Sequence, residues 1–165
     1  MSSIFNLEHW PVVLLSTDNN ELNDESFDNY KRNYINLLLK CKNEGTKIIL
    51  ICSLNTNGNI PIKYIAKQSE FNKEMYNYNK EYVKCVCILC KEKSFKNILN
   101  LYFTMAKPAT PYKLCRSIEK VNKYLNEVMK INFNANVYNI ANNECLEEEE
   151  NNYKENNNYN EIINK

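Results

Sequence analysis

The chain has 165 residues, 44% of them hydrophobic and 25% charged, with a formal net charge of +1. That length supports one domain whose core needs no covalent staples. The near-neutral balance removes the overall field that would hold a nucleic-acid backbone or an anionic membrane surface. Heavy use of Asn, Lys and Tyr beside only two glycines is the bias of an AT-rich genome, such as that of a protist. The seven cysteines are an odd number, several lie in apolar strand-like runs, and no secretory signal precedes them. With no stretch approaching the ~20 apolar residues that span a bilayer, a soluble protein in a reducing, cytoplasmic setting is expected.

In chain order, the β-branched apolar run Pro11–Thr17 predicts a buried strand that ends in Asp18-Asn19-Asn20. From Asp24 the period changes: Phe27, Tyr30, Tyr34, Leu37, Leu38 and Cys41 share one helical face, with Asn23 or Asp24 as cap and Gly45 as stop. Lys47–Leu54 is apolar without alternation, which predicts a central strand covered on both faces. After the turn Asn55–Asn59, Pro61 opens a helical segment carrying Ile62, Ile65 and Ala66, with Met75 and Tyr76 beyond. Val83–Cys90 predicts a third buried strand. Ser94 then caps a helix with Phe95, Ile98, Leu99, Tyr102, Phe103 and Ala106 on one face, ended by Pro108 and Pro111. An extended piece, Tyr112–Cys115, leads to a last helix capped by Ser117, with Ile118, Val121, Leu125, Val128 and Met129 on one side.

The alternation of strands and helices predicts an α/β fold, a short mixed or parallel sheet packed with helices, over residues 3–133. From residue 134 to 165 Asn and Glu take over, Glu147–Glu150 form an acidic block, and a low-complexity disordered tail is expected.

The sharpest local feature is Cys85-x-Cys87-x-x-Cys90. A Cys-x-x-Cys at a helix N-terminus can exchange disulfides, which makes Cys87 and Cys90 the candidates for a thiol oxidoreductase. That chemistry requires the helix to begin by Cys87. A strand persisting to Leu89 instead puts residues 87 and 90 on opposite faces, where they serve as small hydrophobes. Zinc would need a second knuckle, and only the isolated Cys41, Cys52, Cys115 and Cys145 remain, so no metal is expected. His9, the single histidine, reads as a surface or capping residue beside Trp10. Asp24, Glu25 and Asp28 sit where they stabilise a helix dipole. With Gly45 and Gly58 the only glycines, there is no phosphate loop, and no cofactor is expected. Tyr76, Tyr78 and Tyr82 interleave with Lys73, Lys80 and Lys84, and Lys91, Lys93 and Lys96 form a second basic cluster. The neutral balance favours amphipathic boundary tyrosines over base-stacking platforms, and hence no nucleic acid.

Trp10-Pro11 entering the first strand, the run Ile48–Leu54, the run Val83–Cys90 followed by a helix, and Pro111–Val121 entering the last helix together resemble the STAS-like proteins. The SpoIIAA-like branch, distantly related in fold to the lipid-carrying CRAL-TRIO (Sec14) domains, is the nearest in element order. The resemblance implies docking of another protein or of an apolar ligand, with no chemistry. The family's phosphorylated Ser follows an Asp in a turn opening a helix. Here the turn reads Ser53-Leu-Asn-Thr-Asn-Gly, with Ser53 too early and no Asp before Thr56, so the switch does not carry over. The expected function is a non-catalytic adaptor or regulatory domain that binds another protein through an exposed helix face. A Sec14-like carrier of an apolar ligand is the alternative and a thiol oxidoreductase the second. Phe95, Leu99, Tyr102 and Phe103 are bulky enough to fill the space between sheet and helices. An open apolar pocket there would favour the carrier.

Overall fold

In the computed structural model, which describes residues 3–18, 22–55, 60–90 and 95–138, the strands pair in chain order: β1 (Ser3–Asn6), β2 (Val12–Asp18), β3 (Ile48–Asn55), β4 (Val83–Leu89) and β5 (Tyr112–Cys115). β1 is antiparallel to β2, and the other pairings are parallel. The sheet is therefore mixed, and β3 is its centre, as the unbroken apolar run predicts. β1 is the unforeseen strand: four residues, Ser-Ile-Phe-Asn, are too few to show a period.

The helices are α1 (Asp24–Glu44), α2 (Ile62–Glu74), α3 (Tyr76–Tyr82), α4 (Phe95–Met105) and α5 (Ile118–Lys123). All the crossover helices, α1 to α4, lie on one face of the sheet. Leu15 and Leu50 pack there against Tyr34, Leu37, Leu38 and Cys41 of α1 and Phe71 of α2, and Ile88 packs against Leu99 of α4. On the opposite face Val12, Leu14, Ile49, Ile51, Cys85, Cys87 and Cys115 meet Ile118 and Val121 of α5 and Leu125 just beyond it.

The alternation along β4 is broken once. Ile48 pairs with Val83 and Ile49 with Cys85, so exposed Lys84 is bulged out between them. The extra residue turns Val83 to the helix face while Cys85 and Cys87 face α5.

Helix ends follow local chemistry. The Asn23 side chain accepts from the Ser26 amide while the Ser26 hydroxyl accepts from the Asn23 amide, closing a capping box at α1. Gly45 ends the helix in the left-handed conformation, at φ 60°. The expected second helix is broken at Met75 into α2 and α3. Its assigned inner residue Ile62 is 71% exposed, and Tyr64, Ile65 and Phe71 form the buried face instead. After α5 a π-helical turn, Tyr124–Val128, adds a residue to the turn and rotates the face, leaving Val128 64% exposed where the α-period would bury it.

The expected boundary after Phe133 falls too early. The 3-10 turn Ala135–Tyr138 buries Ala135 completely, and the Tyr138 hydroxyl donates to the Val12 carbonyl at 2.7 Å. The Asn122 and Asn126 side chains accept from the amides of Ala135 and Phe133, laying this segment along the α5 face. These bonds outweigh its Asn-rich composition. Residues 139–165, Thr56, Gly58 and Ser94 lie outside the described residues.

Tyr34 of α1 donates to Oδ1 of buried Asn79 at 2.8 Å, tying α1 to α3. Tyr34→Phe leaves that amide oxygen unsatisfied and is expected to cost about 1–3 kcal/mol, seen as a lower urea midpoint at unchanged slope. Tyr138→Phe, which removes a half-buried bond, is expected to cost about 0.5–1.5 kcal/mol in the same measurement.

Candidate functional site

Between the helix face of the sheet and α1, α2 and α4 the apolar layers do not meet everywhere. A chamber of about 270 Å³ remains, floored by Leu15, Leu50, Cys52, Val86 and Ile88 of the strands. Tyr30 and Tyr34 of α1, Tyr64, Ile65 and Gln68 of α2, and Leu99, Tyr102 and Phe103 of α4 enclose it. Of the bulky residues expected to fill this space, Leu99, Tyr102 and Phe103 line it instead, because the aromatic rings stand against one another; the Phe95 side chain lies outside the described ones. Tyr30 stacks on Tyr34 with centroids 6.0 Å apart, Phe71 meets both edge-on, and Phe103 packs at 4.2 Å from Tyr112. The exposed members of the lining, Lys107, Pro108 and Tyr112, mark where the chamber meets solvent, beside the connection from α4 to β5.

A group of polar side chains interrupts the apolar wall, which Thr17, Asn72, Asn79 and Thr110 also help to line. Gln68 donates from Nε2 to the Tyr30 hydroxyl at 3.1 Å and lies close enough to the Tyr102 hydroxyl to favour its ionised form, with the Cys52 thiol close by. Burial pushes the Cys52 thiol up to about 12 and lifts the Tyr30, Tyr34 and Tyr102 phenols well above their ordinary range. Tyr30, Cys52, Gln68 and Tyr102 are nonetheless half-buried by surface area, since the surface they retain faces the chamber. Among the described lining residues none is Asp, Glu, His or Arg, and Lys107 at the mouth is the one cation. The interior therefore carries neutral hydrogen-bonding groups at physiological pH.

A latch fixes the wall between α1 and α2. Asp24 accepts from the Tyr64 hydroxyl and from Lys67 Nζ, each at 2.9 Å, with Lys63 Nζ at 3.6 Å. The hydrogen bond from Lys67, then that from Tyr64, holds the Asp24 carboxyl below its ordinary value of 3.8. Asp24 thus begins α1, as its position predicts, and also reaches across to α2.

Cys87 faces α5 with Cys85 and Cys115, whereas Cys90 lies on the other face beside Leu99. The thiols do not meet. Cys87 hydrogen-bonds Cys85, and that bond, followed by burial, raises the Cys87 thiol while the same bond lowers the Cys85 thiol. Cys41 is fully buried in α1, and among the described residues no group of side chains could hold a metal ion. Cys145 lies outside them. His9 is half-buried, edge-on to Tyr138 and Phe133. Ser53 pairs with Ser16 and Leu89 within β3, and its carbonyl accepts from Thr17. On α3 the exposed Tyr78 leans on Tyr82, which packs at the edge of the core, while Lys73, Lys80, Lys84 and Lys96 are exposed. Lys91 and Lys93 lie outside the described residues. No helix of the described residues is long and apolar enough to cross a membrane.

Sequence reasoning missed the chamber although a signal was present. The inner faces of α1, α2 and α4 carry Tyr30, Tyr34, Tyr64, Gln68 and Tyr102, whose polar ends have no place in a dry aliphatic core. Compared with family models, with curated proteins and with solved structures, the chain matches none of them.

A carboxyl whose folded pKa is lowered adds stability above its unfolded value and loses it as pH falls through the folded value. The gap in urea midpoint between wild type and Asp24→Asn should therefore be full above pH 3.8 and close below it. A gap constant across that range would deny the latch its charge.

Proposed function

We propose that the protein binds a small, largely apolar molecule and performs no chemistry on it, as the Sec14-like carrier alternative of the STAS-like resemblance implies. The chamber of about 270 Å³ beneath α1, α2 and α4 carries this reading. Ligand pockets run from ~300 to 1,000 Å³, are mostly apolar, and hold a few convergent polar groups. This one falls just below that range, which fits a single ring system or short chain rather than a two-tailed lipid. An apolar wall with a protonated thiol and neutral phenols offers binding energy without a general base or nucleophile. The sequential order of the parallel strands, with every crossover helix on one face, is in keeping with the STAS-like element order.

The adaptor reading has a narrower support. Ile35 and Leu39, one turn apart on α1, are exposed on the helix surface away from the chamber and give another protein a small apolar contact.

Titrating naphthalene while following methyl NMR signals separates these readings. Binding in the chamber should shift Val86, Ile88 and Leu99 and leave Val121 and Ile118 on the α5 face unmoved. Cys52→Phe, which projects a ring into the space, should abolish the shifts while unfolding stays cooperative. No chamber shift with naphthalene, 2-naphthol or 2-naphthoate in the wild type would sink the carrier and leave the adaptor. Because the lining groups stay protonated, affinity should be flat between about pH 6 and 9. A titration step within that window would contradict the neutral interior.

A further inference from the structure

The polar group inside the chamber narrows what it can hold. Gln68 stands on α2 with the Tyr30 hydroxyl of α1 on one side and the Tyr102 hydroxyl of α4 on the other, so three helices meet at one polar point over the Cys52 thiol of β3. A carboxamide has two N–H donors and an acceptor oxygen, and a phenol that accepts from it keeps its own O–H to donate. The cluster can therefore both give and take a hydrogen bond at the chamber wall. It cannot balance a charge, since among the described lining residues the cation is Lys107, at the mouth and exposed. An ionised group carried to the Gln68 end would lose its hydration with no opposite charge beside it. A pure hydrocarbon, in turn, would displace any water there and leave the phenols and the amide less well satisfied.

Resting on the chamber as a ligand site, we infer that its ligand is an uncharged molecule with a compact ring-like body and one hydroxyl or carbonyl group, which docks on Gln68, Tyr30 and Tyr102. The apolar body lies against Leu50, Val86, Ile88 and Leu99. Gln68 acts as the orienting residue because its amide bonds the Tyr30 hydroxyl and stands beside the Tyr102 hydroxyl; removing it leaves the Tyr30 hydroxyl without that bond.

The test compares naphthalene, 2-naphthol and 2-naphthoate on the full chain by methyl NMR titration. 2-Naphthol should bind about three- to tenfold more tightly than naphthalene, the margin of one net hydrogen bond. 2-Naphthoate should bind at least about tenfold more weakly than 2-naphthol. In Gln68→Leu the ratio of 2-naphthol to naphthalene affinity should fall to about one, and Gln68→Asn should restore part of it. Tyr102→Phe, which keeps the ring and removes only the hydroxyl, serves should the Gln68 variants fold poorly and should halve the advantage or more. Equal binding of naphthalene and 2-naphthol, or tightest binding of 2-naphthoate, would overturn the inference and leave the chamber as a site. Failure of all three probes in the wild type would overturn both.

Discussion

Everything in this molecule hangs on β3 being buried on both faces. Its neighbours β2 and β4 run parallel to it and saturate its backbone, and its side chains alternate between two separate apolar layers. A strand held this way tolerates no charged residue, and Ile48–Cys52 carries none. Parallel neighbours then require crossovers, and crossovers of one hand, stepping along the sheet in one direction, put α1 through α4 on the same side. The other side cannot be covered by any crossover. Its cover comes from the chain beyond β5, where α5 and the turns after it pack against the bare face.

The two layers have different tasks. On the α5 face, small thiols and branched aliphatics interdigitate: Cys85, Cys87 and Cys115 beside Ile118, Val121 and Leu125. That is packing for stability. On the crossover face the rings of α1, α2 and α4 brace one another and hold the helices off the sheet, and the space beneath them keeps its polar point. A latch on the outside, Asp24 to Tyr64 and Lys67, and a buried tie on the inside, Tyr34 to Asn79, fix α1 against its neighbours. The chamber is thus a consequence of bulk as much as of its absence, since the same rings that could fill a gap prop it open.

The strands and helices were largely legible because their causes are local: period, caps and breakers within a few residues. Asn23, Gly45 and Ser117 act where their chemistry says they act. Besides β1 and the break at Met75, three features were not. The Lys84 bulge is set by pairing with Ile48 and Ile49, residues far away in sequence. The π-turn at Tyr124–Val128 shifts a helical face by one residue, which no period contains in advance. The burial of Ala135 depends on side chains of Asn122 and Tyr138 that compete with a composition typical of tails. The opposed placement of Cys87 and Cys90 was legible, because strand alternation decides it. The chamber was not, because tyrosines at helical spacing announce a buried face without saying whether the face across from it touches.

The bond from Tyr138 to the Val12 carbonyl spans 126 positions of the chain. Its consequence is temporal. As the polypeptide leaves the ribosome, β2 can find β3 and then β4, and each crossover helix can settle on its own side as it emerges. The underside of the sheet has no such helper. Val12, Leu14, Ile49 and Ile51 stay bare until α5 and the turn at Ala135–Tyr138 have been synthesised. A nascent chain stalled before that point would present a sticky apolar floor to the cell, and the segment from α5 to Tyr138 is the one that ends its exposure to chaperones and to other copies of itself.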